Sequence, residues 1–386
     1  GPVSAENDRL AIEIGCNGTL TITDRKNGEV YRDLLTFEDR SEIGDGWFHG
    51  ESINDAPALS SAASAQVRVV HDGPELVTFR VETTLRVPRR YDWHNEVPVK
   101  ELVDLSTTVD ISLRREADVV DVVTTVDNTA EDHQLQLLMP TDVNAKTYLA
   151  HTAFDLVERR ISLDSQTHDW QEMDIPEKPF ESLLAVGTSQ RGLAFLSGNG
   201  LHEGGVRDDV RRTLQVTLLR SFRRTVGTEG EPDGLEPGRI TYRFGLMPYR
   251  DSFPAAKALR ESMRIQSGLL TRQTGKRPSG YPPMVGEHVP IRSFVELDGE
   301  LVLSALKPAE DGSGKLVLRV WNPTGTEQTG TVRFWRSVAS AECLRLDEKR
   351  DDQTPAPVID GPSMTISAAP RKMLTLGVAL VADSSQ

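Results

Sequence analysis

The chain has 386 residues, enough for about two or three domains and a sizeable core. Its 58 acidic residues against 44 basic ones give a formal net charge of -14, and the basic residues are dispersed, which argues against nucleic acid or an anionic membrane surface as the main partner. No run approaches the roughly 18 apolar residues of a membrane span. The opening GPVSAENDRL lacks the basic and apolar regions of a signal peptide, and the 2 cysteines, Cys16 and Cys343, stand at opposite ends, so a reducing, cytoplasmic setting without a disulfide is expected.

Gly1-Pro2 in place of an initiator Met reads as the remnant of a protease cleavage or the start of an excised fragment. From Asp8 to Leu35 the pattern alternates, with Leu10, Ile12 and Ile14 on one face and Leu20 and Ile22 following Asn17-Gly18. That dipeptide predicts a tight primed hairpin turn and is preferred over reading Asn17-Gly18-Thr19 as a glycosylation acceptor. Period-two strands are expected over Ala63 to Arg89, Leu102 to Leu113 and Val119 to Val126, with Leu135 to Pro140 a short apolar run. The middle third continues with strands at Asp155 to Leu163, Leu183 to Leu196, Leu214 to Leu219 and Ile240 to Met247, and with a glycine-rich hairpin at Gly198 to Gly205. Pro254 to Ile265 is the one convincing helix, with Ala255, Ala256, Leu259 and Met263 on its apolar face. Behind it a Pro- and Gly-rich stretch predicts a linker or strap over 267–290. Strands resume from Ile291, with turns at Ala339 to Ala341 and Asp351 to Pro362. The expected architecture is all-β: a large sandwich or supersandwich over 3–266 and a smaller C-terminal sandwich over 291–382, joined by one helix.

The stretch Phe37 to Gly50, FEDRSEIGDGWFHG, gathers Glu38, Asp39, Glu42 and Asp45 beside Trp47, Phe48 and His49. Gly44, Gly46 and Gly50 are expected to supply positive φ and let acidic and aromatic side chains point one way. Carboxylates accept hydrogen bonds from sugar hydroxyls, and an indole face covers the apolar side of a pyranose, so a sugar site is one reading. A solvated acidic turn at a sheet end is the other. The eight histidines are scattered singly without H-x-x-x-H or H-x-D spacing, and His94 with Glu96 reads as solvated. No G-x-S-x-G, C-x-x-C or phosphate-cradling glycine pattern is present. Acidic pairs for glycoside hydrolysis occur by chance among 58 carboxylates. Trp170-Gln171-Glu172 and Tyr91-Asp92-Trp93 are aromatic-acid neighbours read as half-buried tryptophans at sheet edges.

The string Leu301 to Gly325, LVLSALKPAEDGSGKLVLRVWNPTG, resembles the terminal β-domain of the α-mannosidases of glycoside hydrolase family 38, bacterial members above all. In order, TLTITDRKNGEVY, LLTFEDRSEIGDGWF, WQEMDIPEKPF, GLAFLSGNGLHE, LQVTLLRS and GLMPYRDSF agree with it, so the resemblance covers nearly the whole chain as that family's C-terminal portion. The resemblance implies a retaining, zinc-assisted α-mannosidase whose catalytic residues and zinc belong to an N-terminal barrel that this chain lacks. No catalytic or metal-binding residue can be matched here. By position it implies that Asp45, Trp47 and His49, with Arg220 after the LLRS strand, contact an α-mannoside substrate, although an arginine closing a sheet against a carboxylate is the commoner outcome. The chain is then expected to pair with an N-terminal α-mannosidase catalytic domain, in one polypeptide or as a separate one. It would be inactive alone, in a bacterial cytoplasm, and homo-oligomers are compatible with it. A carbohydrate-binding or assembly module without catalysis is the rival reading.

Overall fold

The computed structural model describes residues 2–170, 173–224, 234–270 and 293–382. Antiparallel β-structure dominates it, and the chain divides into two compact units. The first comprises 1–153, 157–254 and 261–266, and the second 154–156, 255–260 and 267–386. Most of the expected linker, 271–290, lies outside the described residues.

In the first unit a nine-stranded sheet and a six-stranded sheet share one hydrophobic core with a four-stranded sheet made by the first 34 residues. The side-chain period of two decides the faces. Strand Leu102–Arg114 pairs with Leu76–Pro88 so that Leu105 faces Leu85, Val109 faces Val81 and Ile111 faces Phe79, all buried. The alternate residues form a ladder on the other face, where Arg80 grips Asp110 with Nε and Nη2 both at 2.6 Å and Thr84 meets Ser106 at 3.2 Å. Cross-strand pairs of this kind add a few tenths of a kcal/mol each, so the register rests mainly on the buried face.

The first hairpin departs from the expected primed turn. Gly18 takes a positive φ of 82° but Asn17 does not, and a longer loop closes with the Gly15 N–H donating to the Thr19 carbonyl at 2.9 Å. Asn17 instead spends its Oδ1 on the Thr19 N–H and hydroxyl. The glycine-rich stretch after Gly192–Asn199 is not a hairpin either: that strand belongs to the nine-stranded sheet, and the next, Glu203–Val206, belongs to the six-stranded one. Helix Ala255–Ser267 forms where expected, but Met263 is 40% exposed and Ser262 takes the buried position, donating to the carbonyls of Ser182 and Ser197. A helix of this pitch buries i, i+3 and i+4, and Ala255, Ala258, Leu259 and Ser262 satisfy that spacing.

The second unit is a sandwich of two four-stranded sheets around Leu318, Val320, Val332, Phe334, Ile366 and Leu376. Ala339 to Ala341, expected as a turn, lie inside strand Val338–Leu344, and Val358–Asp360 forms a short edge strand. Asn322 is fully buried and organises the NPTG turn. Its Nδ2 donates to the carbonyls of Thr326, Ala368 and Ala369 at 2.7, 3.0 and 3.1 Å, while Oδ1 accepts from the Thr324 N–H and hydroxyl. Both cysteines are free thiols, Cys16 exposed and Cys343 buried.

Candidate functional site

The site begins with a polar sheet face. Strands His133–Met139 and Leu214–Ser221 alternate polar and apolar residues over their first halves, and Leu135, Leu137 and Val216 enter the core together with Phe37 of strand Thr36–Ser41. Register then aligns the polar set, opposing Glu38 to Gln136 and Arg40 to Gln134. Glu38, Gln134 and Gln136 are buried and Arg40 is partly buried, which obliges them to find polar partners. Arg207 reaches over them, donating to Glu38 at 2.6 and 3.2 Å and to Gln136 at 2.8 Å, while Gln136 and Gln215 both donate to Glu177 at 2.7 Å. Glu38 is desolvated, which favours its neutral form. The hydrogen bonds and charges of Arg207 and Arg40 outweigh that and hold its carboxyl below the usual range.

Residues 42–50 rise from the end of Thr36–Ser41 as a loop built around Glu42, whose side chain is 1% exposed. Its Oε1 accepts the N–H groups of Gly44 at 2.8 Å and Gly50 at 2.9 Å, and its Oε2 accepts from Arg220 Nε at 2.9 Å. Backbone bonds from Ile43 to Gly50 and from Asp45 to Phe48 close the loop on itself. None of Gly44, Gly46 and Gly50 has the expected positive φ. Gly44 and Gly50 serve close approach instead: a Cβ on Gly44 would stand 1.9 Å from the Phe48 carbonyl oxygen, and one on Gly50 would stand 2.5 Å from the Gly44 nitrogen.

The four residues singled out from the sequence meet at this loop. Arg220 projects from Leu214–Ser221 and donates Nη2 to the carbonyls of Asp45 at 2.8 Å and Phe48 at 3.0 Å while Nε holds Glu42. It therefore closes the loop against the sheet, the commoner of its two expected outcomes, with its guanidinium 5.4 Å from the Phe222 ring centroid. Asp45 commits Oδ1 to the N–H groups of Trp47 and Phe48, both at 2.8 Å. His49 folds inward, with Nε2 3.2 Å from Glu203 Oε2 and Nδ1 3.7 Å from Glu42 Oε2. Burial pulls the imidazole pKa down, but the hydrogen bond and charge of Glu203 outweigh it and raise it above the ordinary histidine value. Trp47 stays 73% exposed beside the half-open Phe48. The arrangement offers an indole face and a set of backbone and carboxylate acceptors on a loop whose shape is fixed by its own bonds.

Sequence reasoning missed Glu203, Gln134 and Glu177. The signal that could have found them is the polar alternation in HQLQLL and LQVTLL, which demands partners once both faces are covered. His94 and Glu96 are exposed, as expected. Trp170 is 64% exposed rather than half-buried, and Gln171 and Glu172 lie outside the described residues. Trp93 is half-buried under Arg224, whose guanidinium sits 4.2 Å from its ring centroid. Among the described residues no group of three or more His, Cys, Asp or Glu side chains is placed to hold a metal ion.

Two sandwiches with, among the described residues, one α-helix define an all-β protein of sandwich type. Within that class the model for the glycosyl hydrolases family 38 C-terminal domain matches residues 5–233, and that for the family 38 C-terminal beta sandwich domain matches residues 300–376. The chain belongs to glycosyl hydrolase family 38 and carries its C-terminal domains. A protein of Halalkalibacterium halodurans that bears the provisional name mannosylglycerate hydrolase is 26% identical over 339 residues, which are 82% of this chain and 36% of that protein. The fold matches the crystal structure of an alpha-mannosidase from Enterococcus faecalis V583 with a TM-score of 0.82 at 21% identity, over 97% of this chain and 42% of that one. A second family 38 structure from Enterococcus faecalis gives 0.81 at 20% identity, over 97% and 44%. The chain thus spans less than half the length of these relatives.

Proposed function

We propose that this chain is the β-rich part of an α-mannosidase-type glycosidase, working on terminal α-mannosidic bonds with a catalytic portion that lies in polypeptide outside it. The support is the family, and the relatives more than twice its length. In this reading the retaining mechanism and its zinc belong to that other portion. No catalytic step is assigned to a residue of this chain. Its contribution is the loop 42–50, at the rim of the sugar cleft.

The observation that carries the reading is Trp47, an exposed indole on a loop held from beneath by Arg220 and Glu42. In this reading a pyranose face or the neighbouring catalytic portion covers that indole in the complete enzyme. Two measurements test the proposal. The purified chain with added zinc is expected to show no turnover of an aryl α-mannoside, and turnover abolished by Asp45→Asn would overturn this in favour of an autonomous glycosidase. In the enzyme joined to its catalytic portion, Trp47→Ala is expected to raise KM roughly tenfold, the effect of losing about 1.4 kcal/mol of contact. An unchanged KM removes Trp47 from the cleft. Saturable binding of mannose or mannobiose by this chain alone, lost in Trp47→Ala, is the outcome that favours an independent carbohydrate-binding module.

A further inference from the structure

His49 is the one titratable side chain of the loop whose two ring nitrogens meet different strands of the sheet below. Nε2 lies 3.2 Å from Glu203 Oε2, on strand Glu203–Val206. Nδ1 lies 3.7 Å from Glu42 Oε2, within its own loop, and 3.5 Å from the Gln134 amide nitrogen, on strand His133–Met139. An amide nitrogen only donates and a carboxylate only accepts, so these two neighbours of Nδ1 demand opposite protonation states. With a proton on Nδ1 the imidazolium faces Glu42. Without it, Nδ1 accepts from Gln134.

The geometry points to His49 as a protonation-gated positioning residue: charged, it ties loop 42–50 to Glu203 and Glu42 together and braces Trp47, and neutral, it gives up the Glu42 tie for Gln134. The groups facing it from every packed element are few. Glu42 and Asp45 belong to its own loop, Glu203 to Glu203–Val206, Arg220 and Thr217 to Leu214–Ser221, and Gln134 to His133–Met139. Arg220 is the single cation among them and opposes the imidazolium, but its Nε is bonded to Glu42 and its Nη2 to loop carbonyls. Glu203 is fixed by the Thr217 hydroxyl on Oε1 at 2.8 Å, leaving Oε2 for His49.

Linkage sets the window. Desolvation would lift Glu203, yet the hydrogen bond and charge of His49 lower it below the usual carboxylate value, so its share of the tie is present at mildly acidic pH and lost only as pH falls through that lowered value. The His49 pKa is raised, so its share is fully present below the ordinary histidine value of about 6.5 and lost as pH rises through the raised one. The brace is complete between these limits and slackens on the alkaline side. The consequence for substrate rests on the reading of the loop as cleft rim; the device itself does not.

The test therefore uses the chain without sugar. Proton–nitrogen spectra follow the Trp47 indole and the Gly44 and Gly50 amides from about pH 5 to about pH 9. All three signals are expected to shift together in one sigmoid with a midpoint above about 6.5. His49→Gln is expected to flatten it, and Glu203→Gln, which leaves the imidazole in place and keeps the test decisive where His49→Gln does not fold, to move the midpoint down by about one unit. Signals that stay flat while His49 titrates, a sigmoid that survives His49→Gln, or a midpoint unmoved by Glu203→Gln overturn the proposal. The titration is read without sugar and with Trp47 in place, so a failure of sugar binding in Trp47→Ala and a failure of this device are separate results.

Discussion

Replacing Arg220 by alanine is expected to cost the first unit about 3 kcal/mol of stability, read from the urea midpoint of its unfolding transition. The guanidinium holds three acceptors at once, Glu42 Oε2 and the carbonyls of Asp45 and Phe48, and its side chain is only 11% exposed. Removing one partner of a buried pair strands the other charge in a low dielectric, an effect of about 3 to 5 kcal/mol. The lower end applies because Glu42 Oε1 keeps its two amide donors. Arg220→Lys is expected to restore the charge but not the fork, and so to recover about half of the loss. A loss below about 1 kcal/mol would show that the loop stands without its arginine. Because Arg220 is spent on the loop, any effect of its loss on sugar recognition is expected to run through the position of Trp47.

The second large effect lies on the core side of the same strands. His133 and Asp39 are both nearly inaccessible, with Nδ1 and Oδ2 2.6 Å apart, and Nε2 lies 2.9 Å from Asn128 Oδ1. The Asn128 amide is oriented independently, since Nδ2 donates to the Glu236 carbonyl and Oδ1 accepts the Ala130 N–H, so Nε2 must carry a proton. Desolvation raises the Asp39 pKa, against the opposing charge and hydrogen bond of His133. His133→Ala therefore leaves a buried carboxyl without its partner, at a cost of about 3 kcal/mol near neutral pH. The sign with pH follows from the raised value. A carboxyl that prefers its proton in the folded state stabilises fully below its unfolded pKa of about 3.9 and loses that contribution as pH rises through the folded value. Without His133 that value climbs further, so the deficit is expected to shrink on moving to about pH 5. Chemical denaturation of both proteins at the two pH values checks it, and a deficit independent of pH would assign the cost to the lost packing of the ring.

The strands were readable because period two with β-branched residues leaves little alternative, as in Leu102–Arg114 and Val120–Asn128. The loop's membership was equally visible, since Asp45, Trp47 and His49 are adjacent in the chain. Its internal logic was not. Glu42 looks like any of the loop's acids until Gly44, Gly50 and Arg220 converge on it, and Arg220 comes from a strand 178 residues away. Local sequence likewise cannot show that glycines are needed for close approach rather than for positive φ. Met263 and Ser262 illustrate the same limit: propensity placed the helix, but which side of the stripe is buried depends on the carbonyls of Ser182 and Ser197.

The closed hydrogen-bond circuit of residues 42–50 also bears on how recognition is divided between enthalpy and entropy. A loop that must order on contact surrenders about 1 to 2 kcal/mol of backbone freedom per residue. Here Glu42, Asp45 and Arg220 have already removed most of that freedom in the free chain. If Trp47 contacts a ligand as proposed, that ligand meets a preformed surface, and its affinity is expected to depend on desolvation of the indole and on the ligand's own rigidity rather than on any folding of the loop.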